Sequence, residues 1–66
     1  RKTGRFLFDK TPLPKVLEKL SKFYKVKLVA NKTDRRLTAS FKDKSLDEII
    51  EIIEKVLNVR IEKKKQ

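Results

Sequence analysis

Apolar residues along this chain follow two spacings, one typical of helices and one typical of strands. Over 13–24 and over 46–57 they recur at i, i+3, i+4 and i+7, which predicts two amphipathic helices. In the flanking segments they alternate with polar residues, as they do in half-buried strands. The pattern therefore predicts the order β-α-β-β-α-β, with strands near 6–8, 26–30, 37–41 and 59–62.

The two halves of the chain are related by an internal repeat. A shift of 33 residues places ten apolar residues of the first half on apolar residues of the second. The ten are Phe6, Phe8, Leu13, Val16, Leu17, Leu20, Phe23, Tyr24, Val26 and Leu28. We therefore predict one domain over 1–66, built from two βαβ units, with repeat 1 over about 5–30 and repeat 2 over about 37–63.

Polar residues and prolines mark the ends of the predicted helices. Thr11 is predicted to be the N-cap of the first helix and Pro12 its first residue, where a missing N–H costs nothing. Ser45, with Glu48 three residues later, predicts a capping box at the start of the second helix. Asn58 is predicted to end that helix in a left-handed conformation.

Two α+β architectures fit this order of elements. The two βαβ units can form one four-stranded antiparallel sheet with both helices on one face, as in ferredoxin-like folds. They can also form two small sheets that pack on opposite sides of the helix pair. The apolar stripe of each helix is wide, with six positions over twelve residues. A wide stripe favours helices that are covered on two sides, so we favour the second arrangement.

Composition narrows the function. The net charge is +10, and it is uneven, since residues 1–33 hold ten cations and two acids (+8) and residues 34–66 hold nine cations and seven acids (+2). A charge of this size permits binding to nucleic acid, to an anionic membrane or to an acidic protein surface. The chain has no His, no Cys and a single Gly. We therefore predict no enzyme, no metal site and no cofactor, because the usual general base, metal ligands and phosphate-binding loop are missing.

Specific residue runs resemble a known family. The run 8–13, Phe-Asp-Lys-Thr-Pro-Leu, is followed by Val16-Leu17, by Leu20 and by the pair Phe23-Tyr24. In the second half, the runs 37–41 and 45–50 continue the match. Together they resemble the C-terminal domain of FecR-type anti-sigma regulators, over roughly residues 5–62.

The resemblance implies a fold and a function. It implies the fold of the secretin and TonB N-terminal (STN) domain, in which two helices pack between small sheets. It also implies the periplasmic domain of an inner-membrane protein, and we expect this chain to be a fragment of such a longer, membrane-anchored regulator. The implied partner is the N-terminal signalling domain of a TonB-dependent outer-membrane transporter. The full-length protein would act on an extracytoplasmic-function sigma factor.

Two alternative functions stay open at this point. The same fold would suit the signalling domain of a TonB-dependent transporter or of a secretin. A basic nucleic-acid-binding domain would suit the charge, although RNA-recognition sheets present aromatic side chains for base stacking. The polar face of the third predicted strand instead carries Thr38, Ser40 and Lys42.

Three groups of residues are predicted to form a protein interface. The edge of the last strand is one, because the resemblance implies a further strand there, which we expect to be absent or cut off after Gln66. Leu7 and Val29 are the second, because they are apolar on the outward strand faces. Lysines on the exposed face of the first helix are the third. The candidate residues are Val59, Arg60, Ile61, Glu62, Lys63, Leu7, Val29, Lys15, Lys19 and Lys22.

Overall fold

A computed structural model of the protein describes residues 4–64 and confirms the predicted order of elements. Both helices have twelve residues and begin 33 residues apart, so the repeat is present in the backbone as well as in the sequence. The elements are β1 (Gly4–Pro12), α1 (Leu13–Tyr24), β2 (Lys27–Ala30), β3 (Arg36–Lys44), α2 (Leu46–Leu57) and β4 (Ile61–Lys64).

The strands form two separate antiparallel sheets. β1 pairs with β3 in the first sheet, and β2 pairs with β4 in the second. Each sheet therefore takes one strand from each repeat. α1 contacts strands of both sheets. The two-sheet prediction is confirmed, and a single four-stranded sheet is not formed.

The strand register relates the two repeats by an approximate two-fold axis. Leu7 pairs with Ser40 in the first sheet, and Val29 pairs with Glu62 in the second. In both pairs the two residues lie 33 positions apart, so each occupies the same place in its own repeat. The axis therefore passes through the middle of both sheets.

The left-handed backbone positions also follow the repeat. In the described part of the chain, four residues other than glycine have positive φ, namely Lys10 (52°), Lys25 (56°), Asp43 (54°) and Asn58 (55°). Lys10 and Asp43 lie at the bulges of β1 and β3, whereas Lys25 and Asn58 end the helices. Each pair is 33 residues apart. The two repeats thus keep the same turns although neither uses glycine, the residue that adopts them without steric cost.

The start of α2 is as predicted. The Glu48 backbone N–H donates to Ser45 Oγ (3.3 Å), and the Ser45 backbone N–H donates to Glu48 Oε1 (3.1 Å). This reciprocal pair is the capping box. Asn58 ends the helix in the left-handed conformation, which confirms the prediction for its other end.

The prediction for the start of α1 is wrong by one residue. The N-cap is Pro12, which has no side-chain oxygen to accept a hydrogen bond. Thr11 belongs to β1, and its Oγ1 accepts from the Asp9 backbone N–H (3.2 Å) instead of capping the helix. The Leu13 N–H donates to the Arg35 carbonyl (2.9 Å), so the loop before β3 supplies the missing acceptor.

The core lies where the helices meet both sheets. Among residues 4–64 no polar side chain is buried. The buried residues are Phe6, Phe8, Leu13, Val16, Leu17, Leu20, Leu28, Leu37, Phe41, Leu46, Ile49, Ile50, Ile53, Val59 and Ile61. All of them fall on faces that the periodicity assigned to the core.

An aromatic cluster closes one end of the core. The Phe6 and Phe23 rings meet edge to face, with centroids 5.2 Å apart. The Phe23 ring also covers Gly4, where an added Cβ would come within 2.7 Å of Phe23 Cζ, so a larger residue there would displace the ring. Tyr24 packs against both rings and donates its hydroxyl to the Lys44 carbonyl (3.1 Å), and burial raises the pKa of Tyr24.

Truncation of the central helix residues tests the repeat alignment. Leu20 and Ile53 are fully buried at equivalent positions, so Leu20→Ala and Ile53→Ala should each lower the free energy of unfolding by about 2–5 kcal/mol. Val56→Ala is the control, because Val56 is 60% exposed and should change stability by less than about 0.5 kcal/mol. Chemical denaturation measures all three. A core variant that behaves like the control would contradict the alignment.

The left-handed end of α1 offers a stabilising substitution. Lys25→Gly should raise the free energy of unfolding by about 0.5–1 kcal/mol, because the steric cost removed (~1–2 kcal/mol) exceeds the entropic cost of glycine (~0.5–1 kcal/mol). Asn58→Gly should gain less, since Asn tolerates this conformation. Thermal or chemical unfolding compares the two. A larger gain at Asn58 than at Lys25 would refute the explanation.

Candidate protein-interaction surfaces

Three large apolar side chains are exposed in the described part of the chain. They are Leu7 (76% exposed), Val56 (60%) and Val29 (40%). Leu7 and Val29 lie on the outer faces of the two sheets, next to the two-fold axis. Among residues 4–64 no segment covers Leu7, so its side chain is open to solvent, and its place in an interface stays a prediction.

The exposure of Val56 does not follow from the periodicity of α2. Val56 shares a repeat position with Phe23, and the periodicity predicts a core residue there. Phe23 reaches the Phe6 ring, but the residue equivalent to Phe6 is the much smaller Ala39. Val56 consequently has less to pack against. The sequence contains a signal for this exposure, because repeat 2 has the smaller residues Ala39 and Val56 at two positions where repeat 1 has aromatic residues.

The predicted β4 edge is partly blocked by the chain itself. The Asn31 N–H donates to the Arg60 carbonyl (3.0 Å), and the Arg60 N–H donates to Asn31 Oδ1 (2.9 Å), so the backbone of Arg60 faces β2. Because hydrogen bonds alternate along an antiparallel strand, the Ile61 N–H faces away from β2. That N–H donates to Glu54 Oε2 at 2.8 Å. The first donor of the edge is therefore already taken by α2.

The charged side chains of the β4 edge form exposed ion pairs. Lys63 Nζ lies 2.8 Å from Asp47 Oδ1 at the start of α2, and Lys64 Nζ lies 3.7 Å from Glu62 Oε1. Val59 and Ile61 are buried in the core, so a partner would meet only their backbone. Because such exposed ion pairs are weak, the structure leaves the side chains of Arg60, Glu62 and Lys63 available at this edge.

The structure brings together two groups that the sequence placed separately. Leu7, Lys19 and Lys22 line both of two adjoining cavities, of about 360 and 380 Å³, between β1 and α1. Lys15 also lines the first cavity. We call this surface, formed by Leu7, Lys15, Lys19 and Lys22, the basic groove. Val29 lies on the other sheet and does not contribute to it.

The basic groove carries an excess of positive charge. Arg5 joins its three lysines, and Glu18 is the only acid that lines it, which gives a net +3. Glu18 Oε1 lies 3.9 Å from Lys15 Nζ, and Glu18 Oε2 lies 3.9 Å from Lys22 Nζ. All three side chains are more than half exposed, so these ion pairs contribute little stability and leave the lysines available.

The equivalent surface of repeat 2 has a different chemistry. Leu7, Lys15 and Lys19 are replaced there by Ser40, Glu48 and Ile52. Lys22 keeps its charge as Lys55, and Glu18 keeps its charge as Glu51. Since both repeats build the same backbone, the fold itself does not require the basic groove.

Other chemistry finds little support in residues 4–64. These residues contain no cluster of acids that is suited to hold a metal ion. Neither helix in this part of the chain is both long and apolar enough to span a bilayer. Phe6, Phe8 and Phe41 are buried between sheet and helices and do not lie on an outer sheet face, where nucleic-acid bases stack.

Removal of the Glu54 carboxylate tests how strongly α2 holds β4. Glu54→Ala should lower the free energy of unfolding by about 1–2 kcal/mol, because a charge-assisted hydrogen bond to Ile61 N–H is lost. Glu51→Ala is the matched control on the exposed face of α2. Hydrogen exchange at the Ile61 amide should become faster only in the Glu54 variant. Equal exchange in the two variants would refute the role of Glu54.

Comparison with known proteins identifies a family. A family model described as "FecR, C-terminal" matches residues 5–66 of the chain. Neither the curated proteins nor the solved structures contain a significant match.

Proposed function

The chain belongs to the FecR C-terminal family, and we propose that it recognises a protein partner on behalf of a FecR-type anti-sigma regulator. The partner we propose is the N-terminal signalling domain of a TonB-dependent outer-membrane transporter. The family match carries this proposal, since it covers nearly the whole chain. The FecR family consists of regulators and is not known for enzymatic activity. The match therefore favours a regulator over the signalling domain of a transporter or a secretin.

The structure supports a role in recognition. The domain exposes Leu7 and Val29 on its sheets, and it presents basic side chains beside an edge of β1 that no strand among residues 4–64 pairs with. Exposed apolar side chains that are surrounded by charged side chains are typical of protein interfaces.

The proposal extends to the full-length regulator. We place this domain in the periplasm, joined to the inner membrane through a helix outside residues 1–66. Binding of the transporter's signalling domain would then be passed to an extracytoplasmic-function sigma factor. The family resemblance is the basis for both statements.

Calorimetry with the cognate signalling domain tests the proposed function. We expect saturable binding to this chain and much weaker binding of a signalling domain from an unrelated transporter. Double-stranded DNA and RNA should associate only weakly, and that association should collapse as salt rises, because it rests on charge alone. Absence of binding to the cognate domain would contradict the proposal. Sub-micromolar, sequence-dependent binding of nucleic acid at physiological salt would contradict it as well.

A further inference from the structure

We propose that the basic groove binds an extended, acidic strand of the protein partner, which pairs with the free edge of β1. The identity of the partner rests on the proposed function above, whereas the chemistry of the groove rests on the structure. This assigns the interface to β1 and α1, and not to β4.

β1 offers an open edge along its regular stretch. Bulges interrupt its nine residues, and the regular stretch between them is 5–8, about 13 Å at roughly 3.3 Å per residue; among residues 4–64 it pairs with β3 alone. Alternate N–H and C=O groups on the other side of residues 5–8 are therefore available to a further strand, whereas the Asp9 N–H beyond them already donates to Thr11 Oγ1. β4 has four residues, and Glu54 already accepts from its first outward N–H.

The two walls of the groove define the side chains of the incoming strand. Leu7 lies on the outer face of the sheet, whereas Lys15, Lys19 and Lys22 lie on α1, on the inner side of the same edge. Successive side chains of a strand point to opposite faces. A strand added to β1 would thus place every second side chain beside Leu7 and the others above the lysines. We infer a pattern in which aliphatic and acidic residues alternate.

The groove suits an acidic protein strand better than a nucleic acid. Single-stranded nucleic acid needs aromatic side chains on which bases can stack. Phe6 and Phe8 of β1 are 6% and 2% exposed and point into the core. Phe23, which also lines the second cavity, is partly buried and packs edge to face on the Phe6 ring. The exposed apolar residue of the groove is the aliphatic Leu7, and strand pairing uses the backbone that β1 leaves free.

A synthetic peptide tests the groove without the transporter. The probe is an alternating glutamate–valine peptide of the length of β1, titrated into the isotope-labelled chain by NMR. We expect amide shifts along β1 and α1, concentrated around Leu7 and Lys19. Proline at the central valine should abolish them, because it removes a backbone donor and blocks pairing.

Three results of the NMR titration would overturn the proposal. The first is peptide-induced shifts confined to β4 or to the α2 surface. The second is larger β1 shifts from a single-stranded RNA than from the peptide at physiological salt. The third is the same β1 shifts on concentrating the chain alone, which would make a second copy the occupant.

Matched charge reversals connect the groove to the proposed partner. The double variant Leu7→Ser/Lys22→Glu should weaken binding of the cognate signalling domain about tenfold. Lys55→Glu is the control, because Lys55 is exposed at the position of repeat 2 that corresponds to Lys22. It should leave affinity unchanged. Thermal unfolding confirms that all variants stay folded.

The outcomes separate the two proposals. Normal affinity of the double variant overturns the groove and leaves the proposed function standing. Peptide binding at β1 without any binding of the signalling domain supports the groove and overturns the proposed function. A larger loss of affinity from Arg60→Glu than from the double variant moves the interface to β4 and overturns the groove.

Discussion

Each sheet of this domain is shared between the two repeats, and the rest of the structure depends on that sharing. An isolated two-stranded sheet is at best marginally stable in water. β1 and β2 belong to repeat 1, yet they pair with β3 and β4 of repeat 2. α1 lies against both sheets and buries Leu13, Val16 and Leu20 completely. Each repeat therefore depends on the other to cover its apolar face.

The shared sheets also determine which local costs the chain tolerates. A left-handed conformation costs a residue other than glycine about 1–2 kcal/mol. Lys10 adopts it at the β1 bulge, where its N–H donates to Thr38 Oγ1 (3.0 Å) and its carbonyl accepts from Arg36 Nη1 (3.2 Å). Contacts with β3 thus hold the strained residue in place. Because the bulge recurs at Asp43, the two-fold arrangement imposes this conformation on whatever side chain is present.

The sequence predicts the elements of this fold better than their pairing. The bounds of α2 are readable from the sequence because the periodicity and the Ser45–Glu48 capping box point to the same residues. Strand pairing cannot be read in this way, because a period-two pattern is the same whichever strand lies alongside. The wide apolar stripes of the helices and the family resemblance favour the two-sheet arrangement. The sequence predicts Thr11 as the N-cap of α1, but in the structure its hydroxyl oxygen accepts from the Asp9 N–H instead. Contacts such as Glu54 with Ile61 depend on tertiary geometry that no spacing shows.

The candidate surfaces were predictable only in part, for the same reason. Leu7 and the α1 lysines were recognised one by one, but their union in one groove follows from the way β1 packs beside α1. The two-fold scaffold gives the domain two equivalent edges, and its core residues are apolar in both repeats. The surface residues break that equivalence, with Leu7 against Ser40 and Lys15 against Glu48. An acidic strand that is attracted to the β1 edge would meet a carboxylate at the other, so the difference in charge selects one edge of a nearly symmetric domain.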